Sequence, residues 1–124
     1  TGSWGTVMNV SDLLVALQHE KALRAYIRRM DLLEQTYSVL KARLYIAIEL
    51  FIQAYRNDQF DTLNLVLIYN GQRLYGRDRL GGVWHRHDLT APDKHDKSPE
   101  GQRPITLPEF LDEVEIVLAK MGLP

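Results

Sequence analysis

The stretch TLNLVLIYNGQRLYGRDRLGGVWHRHD, residues 62–88, holds three strand-like runs separated by two tight-turn signals. Asn70-Gly71 is the stronger signal, because a two-residue type I′ turn needs positive φ at both positions and Asn followed by Gly tolerates this best. Gly81-Gly82 marks the second turn. The first run is apolar on both faces, which is typical of a strand inside a sheet. We therefore predict an antiparallel meander with strands at residues 62–69, 72–78 and 83–88.

The residues before this stretch, 39–55, alternate with a period of two. Every even position from Leu40 to Ala54 is apolar, while the odd positions include Lys41 and Arg43. The alternation predicts one long strand with a single buried face, and its length predicts a bulge or bend. A helix is the competing interpretation, but only a strand accounts for every even position.

A helix is predicted towards each end of the chain. Residues 11–33 have helical apolar spacing after Ser11, whose hydroxyl is a suitable N-cap. Thr106 and Glu109 have the spacing of a capping box, and apolar residues follow at helical intervals until Gly122. The first helix would place four basic residues on one side: Lys21, Arg24, Arg28 and Arg29. This side is either a solvated face or a contact surface for an acidic partner or RNA. The second would carry an acidic outer face: Asp112, Glu113 and Glu115.

The expected fold class is α+β, an antiparallel β-meander packed by an N-terminal and a C-terminal helix. A chain of 124 residues, 45% of them hydrophobic, can bury one core, so we predict a single domain over residues 8–124. Residues 1–7 are interpreted as an extraneous or disordered segment ahead of Met8. Residues 89–105, rich in proline and charge, are expected to form a functional or disordered loop.

Composition excludes several classes of protein. Without cysteine the chain has no disulfide framework, no thiolate metal site and no cysteine nucleophile, and it suits the reducing cytoplasm. No run of about 18 apolar residues is present, so no membrane partner is expected. A net charge of −1 argues against binding nucleic acid by bulk charge, although a local basic patch remains compatible with it.

Residues able to carry chemistry are concentrated near the third and fourth predicted strands. On the fourth strand, alternation points His85 and His87 to one face, and Trp84 and Arg86 to the other. His95 follows in the loop. On the third strand the same rule places three residues on one face: Arg73, Tyr75 and Arg77. We expect the imidazole and guanidinium groups of these two strands to gather around one cleft.

Three interpretations of this concentration remain open. It is an exposed polar face of the sheet; or it is a metal site in which His85 and His87 bind one ion with His95 or Asp96; or it cleaves RNA without a metal. For cleavage, histidine can move protons near neutral pH, arginine can pair with phosphate oxygens, and an aromatic ring can stack on an unpaired base.

The order of features resembles the TumE-type toxins of bacterial and archaeal toxin–antitoxin pairs. The resemblance covers roughly residues 36–120 and rests on LYGRD at 74–78, VWHRHD at 83–88, Pro92, His95-Asp96 and ITLPEFL at 105–111. It implies a helix-turn-helix antitoxin as the partner. An RNA target comes from the residue cluster rather than from the resemblance.

The resulting hypothesis is a cytoplasmic toxin component that binds RNA and, in its stronger form, cleaves it without metal or cofactor. His85, His87 and His95 are the predicted catalytic residues. The predicted substrate-binding residues are Arg73, Tyr75, Arg77, Trp84 and Arg86. The alternatives are a non-catalytic protein-interaction module and a histidine-ligated metal-dependent hydrolase. A homodimer is also expected, since the long apolar strand at 39–55 would invite association if it were an open edge.

Overall fold

The protein forms an α+β fold in which two helices pack on one side of a six-stranded antiparallel sheet. The computed structural model describes residues 9–88, 96 and 98–124. The strands lie in chain order, each paired with the next, as the predicted meander requires. The elements are α1 (Val10–Leu23), β1 (Arg29–Gln35), β2 (Val39–Ala47), β3 (Leu50–Asn57), β4 (Thr62–Tyr69), β5 (Gln72–Leu80), β6 (Val83–His87) and α2 (Leu107–Met121).

The two tight turns occur where the sequence predicts them. Asn70 and Gly71 have φ of 51° and 77°, and Gly81 and Gly82 have 56° and 88°. These values lie in the left-handed region, which glycine and asparagine adopt more readily than other residues. The turns fix the β4–β5 and β5–β6 hairpins, and thereby place the chemistry-bearing residues on neighbouring strands.

The predicted single strand over 39–55 is wrong, because the chain turns back within it. β2 ends at Ala47 and β3 begins at Leu50, with Ile48 85% exposed in the turn between them. Leu44 lies opposite Ile52, so even positions face even positions across the hairpin. The alternation of apolar and polar positions therefore continues through the turn. For this reason the period alone does not reveal where the turn lies.

The predicted helix over 11–33 is also too long. α1 ends at Leu23 and is capped by Asn9 rather than Ser11, and β1 pairs with β2. The predicted basic helix face therefore does not exist. Arg24, one of the four predicted basic residues, lies beyond the helix and forms ion pairs with Glu20 and Asp112. A β2 edge left open would expose backbone groups and a long apolar strand, so strand pairing outweighs helix propensity here.

The helices cover one face of the sheet, which we call the core face. Leu13 of α1 and Phe110 of α2 are fully buried together with Leu44 and Leu65 of the sheet. The opposite face, which we call the open face, carries no helix within the described residues and bears half-buried polar and aromatic side chains. No described helix has the length and apolarity to cross a membrane.

A buried ion pair fastens α2 to the sheet. Arg77 has no exposed surface, and its Nη2 lies 2.7 Å from Oε2 of Glu113. Its Nη1 donates to the carbonyl oxygen of Glu100 at 2.9 Å, and the Tyr75 hydroxyl also donates to Glu113. Glu113 therefore does not belong to an acidic outer face, as the sequence suggested. It holds the helix on β5.

We predict that Glu113→Gln lowers the free energy of unfolding by roughly 3 kcal/mol, because it leaves the Arg77 charge without its main counter-charge. The matched control is Glu100→Gln, whose side chain is 55% exposed and lies 3.5 Å from Arg77. This exposed pair should contribute less than about 1 kcal/mol. Urea unfolding of both variants measures the difference, and equal losses would contradict the assigned role of Glu113.

Candidate functional site

The register of β5 and β6 divides the predicted site residues between the two faces of the sheet. Arg77 lies opposite Arg86, and Asp78 lies opposite His85. His85 and His87 therefore share the open face with Asp78, while Trp84 and Arg86 point to the core side, as strand alternation predicts. The expectation that the imidazole and guanidinium groups of these strands meet in one cleft is wrong for Arg77 and Arg86, which lie on the other side of the sheet from the two histidines.

The predicted substrate-binding residues on the core face are buried or bound to other side chains of the protein. Trp84 and Tyr75 are each 5% exposed and belong to the core. Burial raises the pKa of Tyr75, and its hydrogen bond to Glu113 raises it further. Burial by itself would lower the pKa of Arg77, but Glu113 outweighs it and the pKa is raised. Arg77 has no exposed surface, and Tyr75 only borders a shallow concavity of about 250 Å³ beside α2.

Arg86 serves as a tether for the residues that follow β6. Its Nε lies 3.0 Å from Oδ2 of Asp96, and the backbones of Arg86 and Asp96 form an antiparallel bridge. Hydrogen bonds from Ser98, and then from Arg86, lower the pKa of Asp96 to about 2. Arg86 is therefore committed to a carboxylate. The predicted catalytic residue His95 lies outside the described residues.

The open face brings the other two predicted catalytic residues together around one carboxylate. Nε2 of His87 lies 2.9 Å from Oδ2 of Asp78, and Nδ1 of His85 lies 3.4 Å from Oδ1 of the same residue. Gly76 lies opposite His87 and has no side chain to compete for that space. Asp78 and His87 are each 4% exposed, whereas the His85 side chain retains 13%. His85 is thus the more accessible member of this histidine cluster.

The cluster lies at the end of a polar row that crosses the sheet. Successive strand pairings join Lys41, Tyr55, Asn64, Asp78 and His85 from β2 to β6. The first three also line a shallow concavity of about 480 Å³ on the open face. Asn64, opposite Asp78, is the point where the concavity adjoins the histidine cluster.

Arg73 lines this concavity too, which corrects its predicted position. A register shift between Leu67 and Ile68 places Arg73 opposite Ile68, on the open face rather than with Tyr75 and Arg77. The extra residue of a bulge reverses the alternation. A bulge position cannot be read from a period, so the sequence assigned Arg73 to the wrong side.

Most described arginines have a carboxylate partner, including Arg29 of the open face, whose Nε lies 3.1 Å from Oδ1 of Asp31. On and around the core face each of six arginines lies within ion-pair distance of a carboxylate: Arg24, Arg56, Arg77, Arg79, Arg86 and Arg103. Among the described residues, no carboxylate lies within 4.0 Å of Lys41, Arg43 or Arg73. These three cations belong to the open face, which also carries Glu34, opposite Lys41, and Asp31, opposite Arg43. Neither carboxylate forms an ion pair with them, so the three cations suit an anionic ligand.

Sequence reasoning missed much of the open face. Lys41, Arg43 and Tyr55 occupy odd positions of the alternating 39–55 segment, which marks them as residues of the polar face. Their proximity to the histidines depends on register across four strands, which local pattern does not contain. Asp78 was the one acidic residue of the basic 73–87 segment, and this was the signal for its role.

No group of three or more His, Asp or Glu side chains within residues 9–88, 96 and 98–124 is placed to hold a metal ion. We compared the chain with protein-family models, curated proteins and solved structures, and found no match. The candidate site therefore rests on the chain's own geometry.

The Arg86–Asp96 tether should weaken in acid. The carboxyl titrates near 3.8 when unfolded and about 2 when folded. Its contribution to stability is therefore complete above about pH 4 and is lost as the pH falls through about 2. The Arg86 Nε–H resonance, followed by NMR between these values, should shift in the wild type. Asp96→Asn should remove most of the shift and leave the effect of Asp88, whose Oδ2 lies 3.7 Å from the same Nε. A resonance that stays constant in the folded wild type would contradict the tether.

Proposed function

We propose that this protein is the toxin-type component of a toxin–antitoxin pair, and that its open face binds RNA and cleaves it through the histidine cluster. One observation carries the proposal. Two imidazoles flank the buried carboxylate of Asp78 on a face whose Lys41, Arg43 and Arg73 have no carboxylate within 4.0 Å among the described residues. The resemblance to TumE-type toxins supports a helix-turn-helix antitoxin as partner and a cytoplasmic location.

The chemistry is an internal transfer within RNA. The 2′-oxygen attacks the adjacent phosphorus and loses its proton, while the bond from phosphorus to the 5′-oxygen breaks and that oxygen gains a proton. The products are a 2′,3′-cyclic phosphate and a 5′-hydroxyl end. Histidine can perform either proton transfer near neutral pH. No redox partner is required.

We assign both proton transfers to His85, which takes the proton from the 2′-oxygen and returns it to the departing 5′-oxygen. Asp78 and His87 have positioning roles. Nδ1 of His85 is directed to Asp78, and the His85 side chain retains 13% exposure, more than that of His87. The carboxylate then orients this imidazole, as a buried aspartate does in other histidine-dependent sites. His87, 4% exposed, holds Asp78 in place. The catalytic role of His95 remains a prediction.

Lys41, Arg43 and Arg73 are the proposed phosphate ligands. Their charges attract a polyanion without the cost of breaking an existing ion pair, whereas Arg77 and Arg86 would have to release Glu113 and Asp96. Arg43 and Arg73 can also pair with two phosphate oxygens at once.

His85→Ala should reduce RNA cleavage by roughly 10²- to 10⁴-fold, the usual contribution of a general acid or base. The matched control is His19→Ala, which removes an exposed histidine of α1 and should cleave like the wild type. The assay measures the appearance of cyclic-phosphate ends at several pH values. Induced expression should inhibit growth in the wild type and the control, and not in His85→Ala.

Two results would reject the proposal: a wild-type chain that leaves every RNA intact, or a His85→Ala chain that cleaves at the wild-type rate. If His85→Ala and His87→Ala together leave both growth inhibition and partner binding unchanged, the chain acts as an interaction module instead.

A further inference from the structure

A pair of aromatic rings stands on the open face, on the side of the sheet away from the helices. Tyr45 of β2 lies opposite Phe51 of β3, with ring centroids 5.1 Å apart and ring planes inclined by 46°. Both residues are half-buried, unlike the fully covered aromatic residues of the core. No function described so far uses these rings, which we call the aromatic platform.

Guanidinium groups lie over both rings of the platform. Arg29 lies 4.2 Å from the centroid of Tyr45, and Arg43 lies 4.5 Å from the centroid of Phe51. Nε of Arg43 donates to Gln53 at 3.0 Å, and its Nη1 donates to the Tyr45 hydroxyl at 3.2 Å. The rings and Arg43 are therefore held in one arrangement, which reduces the entropy lost when a ligand binds.

We infer that the aromatic platform binds the unpaired bases of single-stranded RNA. The inference rests on the proposed function and adds the substrate class and a binding site for it. Bases stack on aromatic rings and on guanidinium planes, and such stacking tolerates any base because every base has a π face. The uncompensated charge of Arg43, beside the platform, suits the phosphate that accompanies each base.

Strand register connects the platform to the rest of the open face. Tyr45, Phe51, Ile68 and Arg73 form one row across the sheet. Phe51 is four residues along β3 from Tyr55, whose own row ends at His85. With standard strand rise and spacing, the path from Phe51 to His85 is about 19 Å. A chain of a few unpaired nucleotides can span this distance, so one RNA segment can occupy the platform and reach His85.

The platform favours single strands over other ligands. A duplex hides its base faces and offers only groove edges and phosphates. An acidic peptide would engage Lys41, Arg43 and Arg73 without any need for the rings. Dependence of binding on both the rings and the bases therefore identifies single-stranded RNA.

The test measures binding of a labelled oligouridylate and of an abasic ribose-phosphate oligomer of the same length by fluorescence anisotropy. Tyr45→Leu and Phe51→Leu should each weaken oligouridylate binding by roughly 5- to 100-fold and leave the abasic oligomer unchanged. Tyr45→Phe keeps the ring and removes only the hydroxyl that accepts from Arg43, so it should lose less binding than Tyr45→Leu. Tyr37→Leu is the matched control, because Tyr37 is 100% exposed in the β1–β2 turn. Thermal unfolding verifies that each variant is folded.

Equal oligouridylate binding by the wild type and both leucine variants would overturn the inference, as would equal losses for the two oligomers. Binding of polyglutamate with the same dependence on Tyr45 would overturn the choice of RNA. If the leucine variants bind normally and His85→Ala does not cleave, only the role of the aromatic platform in RNA binding is rejected. Weakened binding by the leucine variants together with an active His85→Ala rejects only the cleavage centre.

Discussion

The whole molecule depends on the alternation of side chains along β-strands, preserved by the register of a six-stranded meander. The β2–β3 turn, together with the register shift beside it, places even positions opposite even positions and odd opposite odd, so Leu44 meets Ile52 and Lys41 meets Tyr55. One set of residues builds the core under the helices, and the other set builds the open face. A slip of one residue in any hairpin would exchange the two sets, so the core and the candidate site are specified by the same pairing.

The arginines show how this division separates structure from function. Arg77 is fully buried and Arg86 largely so, and each is held by a carboxylate, Glu113 or Asp96. They stabilise the attachment of α2 and of the residues after β6. Arg43 and Arg73 have no such partner among the described residues and face solvent on the other side. The same residue type thus fastens the fold on one face and leaves positive charge for an anionic ligand on the other.

Local sequence signals predicted the meander, two of its hairpins and α2 with its capping box, because each depends on residues a few positions apart. They failed where the conformation or the face of a residue depends on pairing between strands distant in sequence. β1 was assigned to a helix because its conformation depends on the open edge of β2. Arg73 was assigned to the wrong face because a bulge cannot be read from a period. His85 and His87 meet at Asp78 because strand alternation places both histidines on one face and the hairpin register places Asp78 beside them. Only the alternation could be read from the sequence.

Ultraviolet cross-linking of a uridine-rich oligonucleotide to the folded protein, with peptide mapping of the linked residues, tests most directly whether the open face is the functional face. We predict cross-links at Tyr45, Phe51 and Tyr55, whose rings lie on that face. Cross-links confined to Tyr75 or Trp84 would place RNA on the helix side of the sheet and contradict the account.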